Sequence, residues 1–253
     1  MNDLNGKKAL VTGGASGIGA AITRELANLG AHVYIHFHSS EAPAQELSRD
    51  IRAKGGTAHA YQADLSNESE VTGLFDHVEE SFNRLDVLVN NAGDLVGRHA
   101  LEHMSIEFFQ QVLQINLHTM MLVTRASVPL LRKSQAAGIV NVSSLAGRKG
   151  GHGGSLAYAT AKGAVLSFTR ALSTELAIDG IRVNAVTPGL ILGSRLHEVH
   201  STEDSKNRTI SEIPLGRAGT CEDVARAVGF LATEYNGFIT GATLDINGGV
   251  YMA

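Results

Sequence analysis

The chain is poor in the residues that build covalent cross-links and metal clusters. Its 253 residues include one cysteine, Cys221, four prolines and no tryptophan. A single cysteine excludes an intramolecular disulfide, a cysteine-cluster metal site and an iron–sulfur centre. Long apolar runs and runs of Lys or Arg are also missing, and the formal net charge is −4. We therefore expect a cytoplasmic protein that has neither a membrane nor a nucleic acid as partner.

Glycine, by contrast, is abundant. The chain has 28 glycines, more than the usual share of about 7% would give. Hydrophobic residues make up 43% of the chain, which is enough material for a sizeable core. We expect the backbone to approach a ligand or another segment closely in several places.

Short β-rich segments alternate with helical patterns along the whole chain. The strand candidates are KALVT, AHVYIHF, TAHAYQ, LDVLVN, GIVNVSS, IRVNAV and ATLDI. Helical spacing is found at 17–29, 41–54, 67–82, 105–133, 157–178 and 221–232. This alternation predicts an α/β fold with a parallel sheet and helices on both faces. With no linker or repeat, residues 1–253 are interpreted as one domain, in which the polar segment 190–215 is a substrate lid.

The first strand candidate leads directly into the sequence TGGASGIG. Gly13, Gly17 and Gly19 in this sequence have the spacing G-x-x-x-G-x-G at a strand-to-helix junction. Such glycines allow a tight turn in which backbone N–H groups and a helix N-terminus face a pyrophosphate. The same string also suits an ordinary turn, but its place after the first strand favours a dinucleotide.

Tyr158 and Lys162 are the main candidates for acid–base chemistry. They are four residues apart in a predicted helix, so their side chains share one face. A surface pair would have the same spacing. Their place after the fifth strand favours chemistry, because ligands of such sheets bind at the carboxyl ends of the strands. A neighbouring ammonium helps to lower a tyrosine pKa from about 10 toward neutrality, as acid–base catalysis requires.

Two further polar residues are candidates for the same site. Ser144 ends the fifth strand and is placed to donate a hydrogen bond to a substrate oxygen. Asn116 stands in an apolar stretch of the fourth predicted helix, where it is either functional or a satisfied core amide.

Several short motifs follow one another along the chain. The ordered pieces are TGGASGIG, ADL at 63–65, NNAG at 90–93, Asn116, SS at 143–144, Tyr158 with Lys162, PG at 188–189 and ITGATLDINGG at 239–249. In this order the sequence resembles the short-chain dehydrogenase/reductases, and in particular their members similar to 3-oxoacyl-acyl-carrier-protein reductases. The resemblance implies a three-layer Rossmann fold with a doubly wound sheet of seven parallel strands in the order 3-2-1-4-5-6-7.

The resemblance also implies roles for the catalytic candidates. Tyr158 would donate or accept the proton, and Lys162 would lower its pKa and bind the nicotinamide ribose. Ser144 would orient the substrate carbonyl, with Ser143 as the second choice because the spacing to Tyr158 is one residue longer than usual. Asn116 would hold a water in a proton relay.

Cofactor contacts are implied at the turn, at the ends of several strands and next to the nicotinamide. They fall at Gly13, Ser16, Gly17, Ile18, Gly19, Phe37, His38, Ser39, Ser40, Asp64, Leu65, Asn91, Ala92, Gly93, Tyr158, Lys162, Pro188, Gly189, Leu190 and Ser194. Ser194 is included because Gly193 stands where the family usually has a threonine that contacts the nicotinamide amide.

The end of the second strand predicts a preference for NADP(H), with NAD(H) possible. NAD-preferring members carry an aspartate where this chain has Phe37. Ser39 and Ser40 follow and would receive a 2′-phosphate, although Ser16 stands where such relatives often have a basic residue.

Histidines at this position and in the lid permit two further hypotheses. A charge on His36 or His38 would face the phosphate, which predicts that the NADP preference weakens above neutral pH. The pairs His36 with His38 and His197 with His200 have a spacing suited to metal binding but lack a third ligand, and we expect no metal.

The sequence thus predicts an enzyme that transfers a hydride between a nicotinamide cofactor and the carbonyl or secondary alcohol of a small molecule. In the substrate region, Leu95, Arg98, His152, Arg195 and His197 offer both apolar and polar contacts. A dinucleotide-sensing regulator is the non-enzyme alternative, which the Tyr158 and Lys162 pair disfavours.

A reductase of 3-oxoacyl carrier-protein thioesters is the alternative enzyme. Such enzymes tend to have basic residues for the acidic carrier near the ends of the fourth and fifth helices, where only Arg132 and Lys133 accompany Gln135 and Asp179. The family usually forms homotetramers through these helices, so a homotetramer or homodimer is expected.

Overall fold

The computed structural model describes residues 4–194, 199, 202–234 and 237–253. Seven of its strands form one sheet. They are β1 (Lys8–Val11), β2 (His32–Phe37), β3 (Ala58–Gln62), β4 (Val87–Asn90), β5 (Gly138–Val142), β6 (Arg182–Pro188) and β9 (Thr243–Ile246). Two short strands, β7 (Ile191–Leu192) and β8 (Gly219–Thr220), pair with each other outside that sheet.

All strands of the large sheet are parallel, in the order β3-β2-β1-β4-β5-β6-β9. Counted along the chain without the two short strands, this is the predicted order 3-2-1-4-5-6-7. The order reverses direction between β1 and β4. Ala9 of β1 pairs with Val33 of β2 on one side and with Val87 of β4 on the other. Ligands of doubly wound sheets bind at such a switch point.

Helices cover both faces of the sheet, as predicted. They are α1 (Gly17–Asn28), α2 (Glu41–Ala53), α3 (Glu68–Phe82), α4 (Ile106–Leu113), α5 (Thr119–Leu131), α6 (Ala146–Lys149), α7 (Leu156–Glu175), α8 (Glu203–Ser211) and α9 (Cys221–Ala232). Alternate strand residues enter different cores: Val11 packs with the residues of α1 and α9, and Leu10 with those of α3 and α5. This alternation is what a parallel sheet buried on both faces requires. No described helix is long and apolar enough to cross a bilayer.

The predicted helix 105–133 is interrupted near its middle. A π-helical turn, Gln114–His118, separates α4 from α5 and carries Asn116, which is 1% exposed. The predicted helix is confirmed from Ile106 to Leu131, and the apolar spacing did not reveal its π-helical middle turn. π-turns often mark functional sites.

The predicted lid is only partly described. Its described portion includes β7 and α8, and Ile191 pairs with Gly219 in front of α9. Arg195, His197 and His200 lie outside the described residues.

Candidate active site

A cleft of about 770 Å³ runs along the carboxyl ends of the central strands. It is lined by all of the predicted cofactor contacts, from Gly13 to Ser194, and by Ser144. We call the part formed by residues 13–19, 37–40 and 64–65 the turn end, and the part around Ser144, Tyr158 and Lys162 the tyrosine end. Asn116 lies behind the lining.

The turn end is closed by contacts between backbone segments. Gly13 and Gly17 have φ angles of +60° and +50°, and a Cβ at Gly19 would lie 2.0 Å from the Gly13 carbonyl oxygen. The Asn91 amide donates to the carbonyl oxygens of Thr12, at 3.0 Å, and Gly13, at 3.1 Å. Ser16, the N-cap of α1, makes no side-chain cap bond. The helix N-terminus therefore faces the cleft in the manner of an anion site.

His36 holds this turn against the neighbouring strands. The Gly13 N–H donates to His36 Nδ1 at 3.1 Å, and Nε2 donates to the Ala63 carbonyl oxygen at 2.9 Å. Gly14 N–H also donates to the His36 carbonyl oxygen at 2.9 Å. The ring is 2% exposed, and burial lowers the pKa of His36 to about 4.

The hypothesis that His36 carries a charge facing a phosphate is therefore wrong, because a neutral ring is needed to accept from Gly13. The two histidines also lie in different surroundings, since His38 follows the end of β2 and is exposed. Among the described residues, no group of three or more potential ligands could hold a metal ion.

The rest of the turn end combines packed and open groups. Phe37 is 4% exposed and its ring belongs to the core beside α1 and α2. Ser39 and Ser40 line the cleft, and neither hydroxyl has a hydrogen-bond partner among the described residues. Asp64 accepts from Ser66 Oγ at 2.7 Å and Ser66 N at 2.8 Å, and these bonds lower the pKa of Asp64. Its carboxylate therefore stays ionised at neutral pH.

The tyrosine end buries two titratable side chains of one helix face. Tyr158 and Lys162 are 8% and 4% exposed, and Lys162 Nζ lies 5.7 Å from the centroid of the Tyr158 ring. Burial raises the pKa of Tyr158 to about 12, although a hydrogen bond with the Ser144 side chain opposes the rise. Burial lowers the pKa of Lys162 to about 8. Near neutral pH the pair thus holds a neutral phenol next to an ammonium group.

The two neighbouring serines have different partners. Ser143 Oγ donates to the Lys162 carbonyl oxygen at 2.7 Å and is 3% exposed, so this hydroxyl fixes α7 to the end of β5. Ser144 Oγ accepts from Ala146 N at 3.1 Å and bonds with Tyr158. Ser144, and not Ser143, shares a hydrogen bond with the phenol.

Asn116 supports the loop after β4. Its amide donates to the carbonyl oxygens of Asp94, at 2.7 Å, and Val112, at 3.0 Å, and its oxygen accepts from Asp94 N at 3.1 Å. A Cβ at Gly93 would lie 2.6 Å from that oxygen and 3.0 Å from Lys162 Nζ. Both side-chain N–H groups of Asn116 are therefore bonded to the protein itself, and its role in holding a water stays a prediction.

The remaining cofactor candidates form the wall beyond β6. Pro188 ends β6, and a Cβ at Gly189 would lie 3.0 Å from the Cβ of Asn247. Leu190 is 8% exposed. Ser194 lines the cleft, but its hydroxyl proton is donated to the Ile191 carbonyl oxygen at 2.7 Å.

Comparisons with known proteins agree with this geometry. The family model described as Enoyl-(Acyl carrier protein) reductase matches residues 13–251. A 3-oxoacyl-(acyl-carrier-protein) reductase of Synechocystis is 38% identical over 254 residues, 100% of each chain. The chain belongs to the short-chain dehydrogenase/reductases.

Further relatives agree with that membership. The reductase FabG of Staphylococcus aureus is 35% identical over 246 residues, which cover 97% of this chain and 98% of FabG. The crystal structure of the NADH-dependent reductase A1-R′, responsible for alginate metabolism, matches with a TM-score of 0.91 and 34% identity over 100% of both chains. This family member is thus an NAD(P)-dependent oxidoreductase that acts on an alcohol or carbonyl group.

One residue of this dehydrogenase/reductase that sequence reasoning did not single out is Asp94. Its carboxylate contributes to the raised pKa of Tyr158, so it lies within electrostatic reach of the phenol. Oδ1 accepts from Val96 N at 3.2 Å, and the side chain lines the cleft. The sequence feature that could have identified Asp94 is its position directly after NNAG, at the carboxyl end of β4.

Proposed function

We propose that the protein is a carbonyl reductase for small molecules that prefers NADP(H), with Tyr158 as the proton donor. The observation that carries the proposal is that the buried Tyr158 and Lys162 and the half-buried Ser144 line one cleft that continues to the glycine turn. A site that converges on a buried phenol and a buried amine is the pattern expected for proton transfer.

The residues of the turn end fit a dinucleotide. Gly13, Gly17 and Gly19 leave no side chain between the turn and the N-terminus of α1, and Ser16 leaves that N-terminus uncapped. When bound, the nicotinamide would supply or accept the hydride at the substrate carbon.

The residues of the tyrosine end would handle the proton. Ser144 would hold the substrate oxygen by a hydrogen bond, and Tyr158 would give its proton to that oxygen as negative charge develops there. A buried phenol whose pKa is about 12 is protonated at neutral pH, as the reduction requires. The Lys162 ammonium would then stabilise the phenolate, which regains a proton from water.

The preference for NADP(H) rests on the end of β2. No carboxylate stands at Phe37, and Ser39 and Ser40 leave two hydroxyls open next to the N-terminus of α2. These donors would favour a 2′-phosphate. The related A1-R′ is NADH-dependent, so both cofactors belong in the test.

Reduction of 3-oxoacyl thioesters is the second candidate, supported by the names of the relatives. The cations expected to meet an acidic carrier are already paired. Arg132 contacts Asp179 at 2.9 Å, and Lys133 contacts Glu79 at 2.7 Å. We therefore rank a small ketone above a 3-oxoacyl thioester as the substrate.

A substrate panel combined with Tyr158→Phe tests the proposal. Ketones, 3-oxoacyl thioesters and alcohols would be assayed with reduced and oxidised forms of both cofactors. The variant should still bind the cofactor, while turnover falls by about 10²- to 10⁴-fold. Cofactor binding without turnover of any compound by the wild type would support a sensor, and unchanged turnover in the variant would remove Tyr158 from the mechanism.

A homo-oligomer remains part of the proposal. The small residues Ala159, Gly163 and Ala164 are half-buried on one side of α7 in the single chain. Sedimentation equilibrium should give the mass of a tetramer or dimer, and a monomer at micromolar concentration would contradict it.

A further inference from the structure

Three side chains with basic groups line the cleft on the segments that follow β4 and β5. They are Arg98, Lys149 and His152, which we call the basic rim, and all three are exposed and line the cleft that holds Tyr158. Arg98 follows β4, Lys149 ends α6, and His152 lies in the glycine-rich loop before α7.

Direct contacts keep the loops that carry the rim together. His99 N donates to the Gly154 carbonyl oxygen at 2.9 Å, and Arg98 Nη1 reaches the Gly153 carbonyl oxygen at 3.4 Å. A Cβ at Gly154 would lie 3.0 Å from the Cβ of Arg98. The rim is therefore part of a packed junction between the loops after β4 and β5.

The charges of the rim are not neutralised by the described part of the protein. Many surface cations have carboxylate partners, such as Arg132 with Asp179 and Arg217 with Asp223. Arg98 and Lys149 form no ion pair with a described residue, and the only bond of the Arg98 guanidinium is the long one to Gly153. Two open cations at the mouth of a cleft attract an anionic group.

Carboxylates in the same half of the cleft limit where that group can lie. Asp94 is within electrostatic reach of Tyr158, and Glu212 lines the cleft from the end of α8. An anion directly beside the phenol would be repelled by Asp94, whereas an anion at the rim meets Arg98 and Lys149. The reacting carbonyl and the anionic group of a substrate would therefore be separated by several bonds.

We propose that the basic rim binds a carboxylate on the substrate, so that the preferred substrates are ketones with a carboxylate remote from the carbonyl. The inference rests on the proposed function, since it places the carbonyl at Tyr158. A carboxylate suits the flat guanidinium of Arg98.

The test compares 4-oxopentanoate with 4-oxopentanamide, which differ mainly in charge. Calorimetry with the protein loaded with oxidised cofactor would measure binding, and turnover with reduced cofactor would give kcat/KM. We expect the acid to bind at least about tenfold more tightly than the amide. The double variant Arg98→Gln/Lys149→Gln should lose this difference and bind the amide within about twofold of the wild type.

A matched control removes the same charge elsewhere. Arg52 and Lys54 are exposed at the end of α2 and do not line the cleft, so Arg52→Gln/Lys54→Gln should leave the preference for the acid unchanged. Equal affinity for acid and amide, no measurable binding of the acid, an equal loss for both in the rim variant, or a larger gain for a phosphate ester would overturn the inference. Failure of the cofactor itself to bind would reject the proposed function instead.

Discussion

The turn end and the tyrosine end of the cleft differ in where their polar side chains find hydrogen-bond partners. At the turn end, His36 and Asn91 bond to backbone groups of neighbouring segments and fix the course of the chain. At the tyrosine end, the phenol of Tyr158 bonds with Ser144, and among the described residues Lys162 Nζ donates one bond, to the Val142 carbonyl oxygen at 3.1 Å. An ammonium has three N–H donors, so donors remain for a ligand at this end.

The two ends of the cleft should therefore respond differently to substitution. Changes at the turn end should act on folding and on cofactor affinity together, because the backbone itself forms the site. Changes at the tyrosine end should act on turnover and its pH dependence while the fold persists.

The largest effect is expected for Gly19→Ala. The new Cβ would lie 2.0 Å from the Gly13 carbonyl oxygen, so the turn would have to move. We expect unfolding to become easier by about 3 kcal/mol and cofactor affinity to fall by at least about a hundredfold. Denaturant unfolding and cofactor titration would measure both.

A helical glycine provides the control for that variant. Gly73 lies inside α3, and a Cβ there would meet the Tyr61 hydroxyl at an ordinary 3.6 Å. Gly73→Ala should leave cofactor affinity unchanged and not reduce stability. A Gly19→Ala protein that binds cofactor normally would show that the turn is not part of the site.

His36 should make the protein sensitive to acid. Its folded pKa of about 4 lies below the usual histidine pKa of 6.5, so between these values the unfolded chain binds a proton that the folded protein does not. Stability is therefore complete above about pH 6.5 and is lost as the pH falls toward 4, by about 2 kcal/mol between pH 7 and pH 5.

The variant His36→Gln does not titrate and should lack this part of the loss. Urea unfolding of both proteins at pH 7 and pH 5 gives the difference directly, and the variant should also bind cofactor more weakly at both pH values. Equal acid sensitivity in the two proteins would contradict the neutral, bonded ring.

At the tyrosine end, Lys162 should set an alkaline limit on reduction. Burial lowers the pKa of Lys162 to about 8, and above that pH the ammonium that would stabilise the phenolate is lost. We expect kcat for reduction to fall by up to about tenfold per pH unit above pH 8. A pH–rate profile checks this, and Lys162→Met should be slow with no such limb. A flat wild-type profile up to pH 10 would contradict the role.

The parts of the molecule that could be predicted from sequence are those set by local rules. The strand order, the glycine turn and the shared face of Tyr158 and Lys162 follow from periodicity, backbone freedom and ordered motifs. The bonds of His36 could not be predicted, because Gly13 and Ala63 are distant in sequence and approach only when β1, β2 and β3 pair. The π-helical turn at Asn116 could not be predicted for a related reason, because the Asn116 side chain bonds to Asp94, which is distant in sequence.

The smallest expected effect, and the most selective, is on the preference between NADPH and NADH, which differ at the 2′-position of the ribose. Phe37→Asp would place a carboxylate where a ring packs in the core at 4% exposure, so loss of packing would obscure any change in specificity. Ser39 is exposed and lines the same part of the cleft, so Ser39→Asp introduces the charge without loss of packing. The ratio of kcat/KM for NADPH over NADH should fall by about tenfold, since the carboxylate repels a 2′-phosphate and accepts from a 2′-hydroxyl. Ser39→Asn, equal in size but neutral, should change the ratio much less, and equal ratios in the two variants would mean that the phosphate does not lie near Ser39.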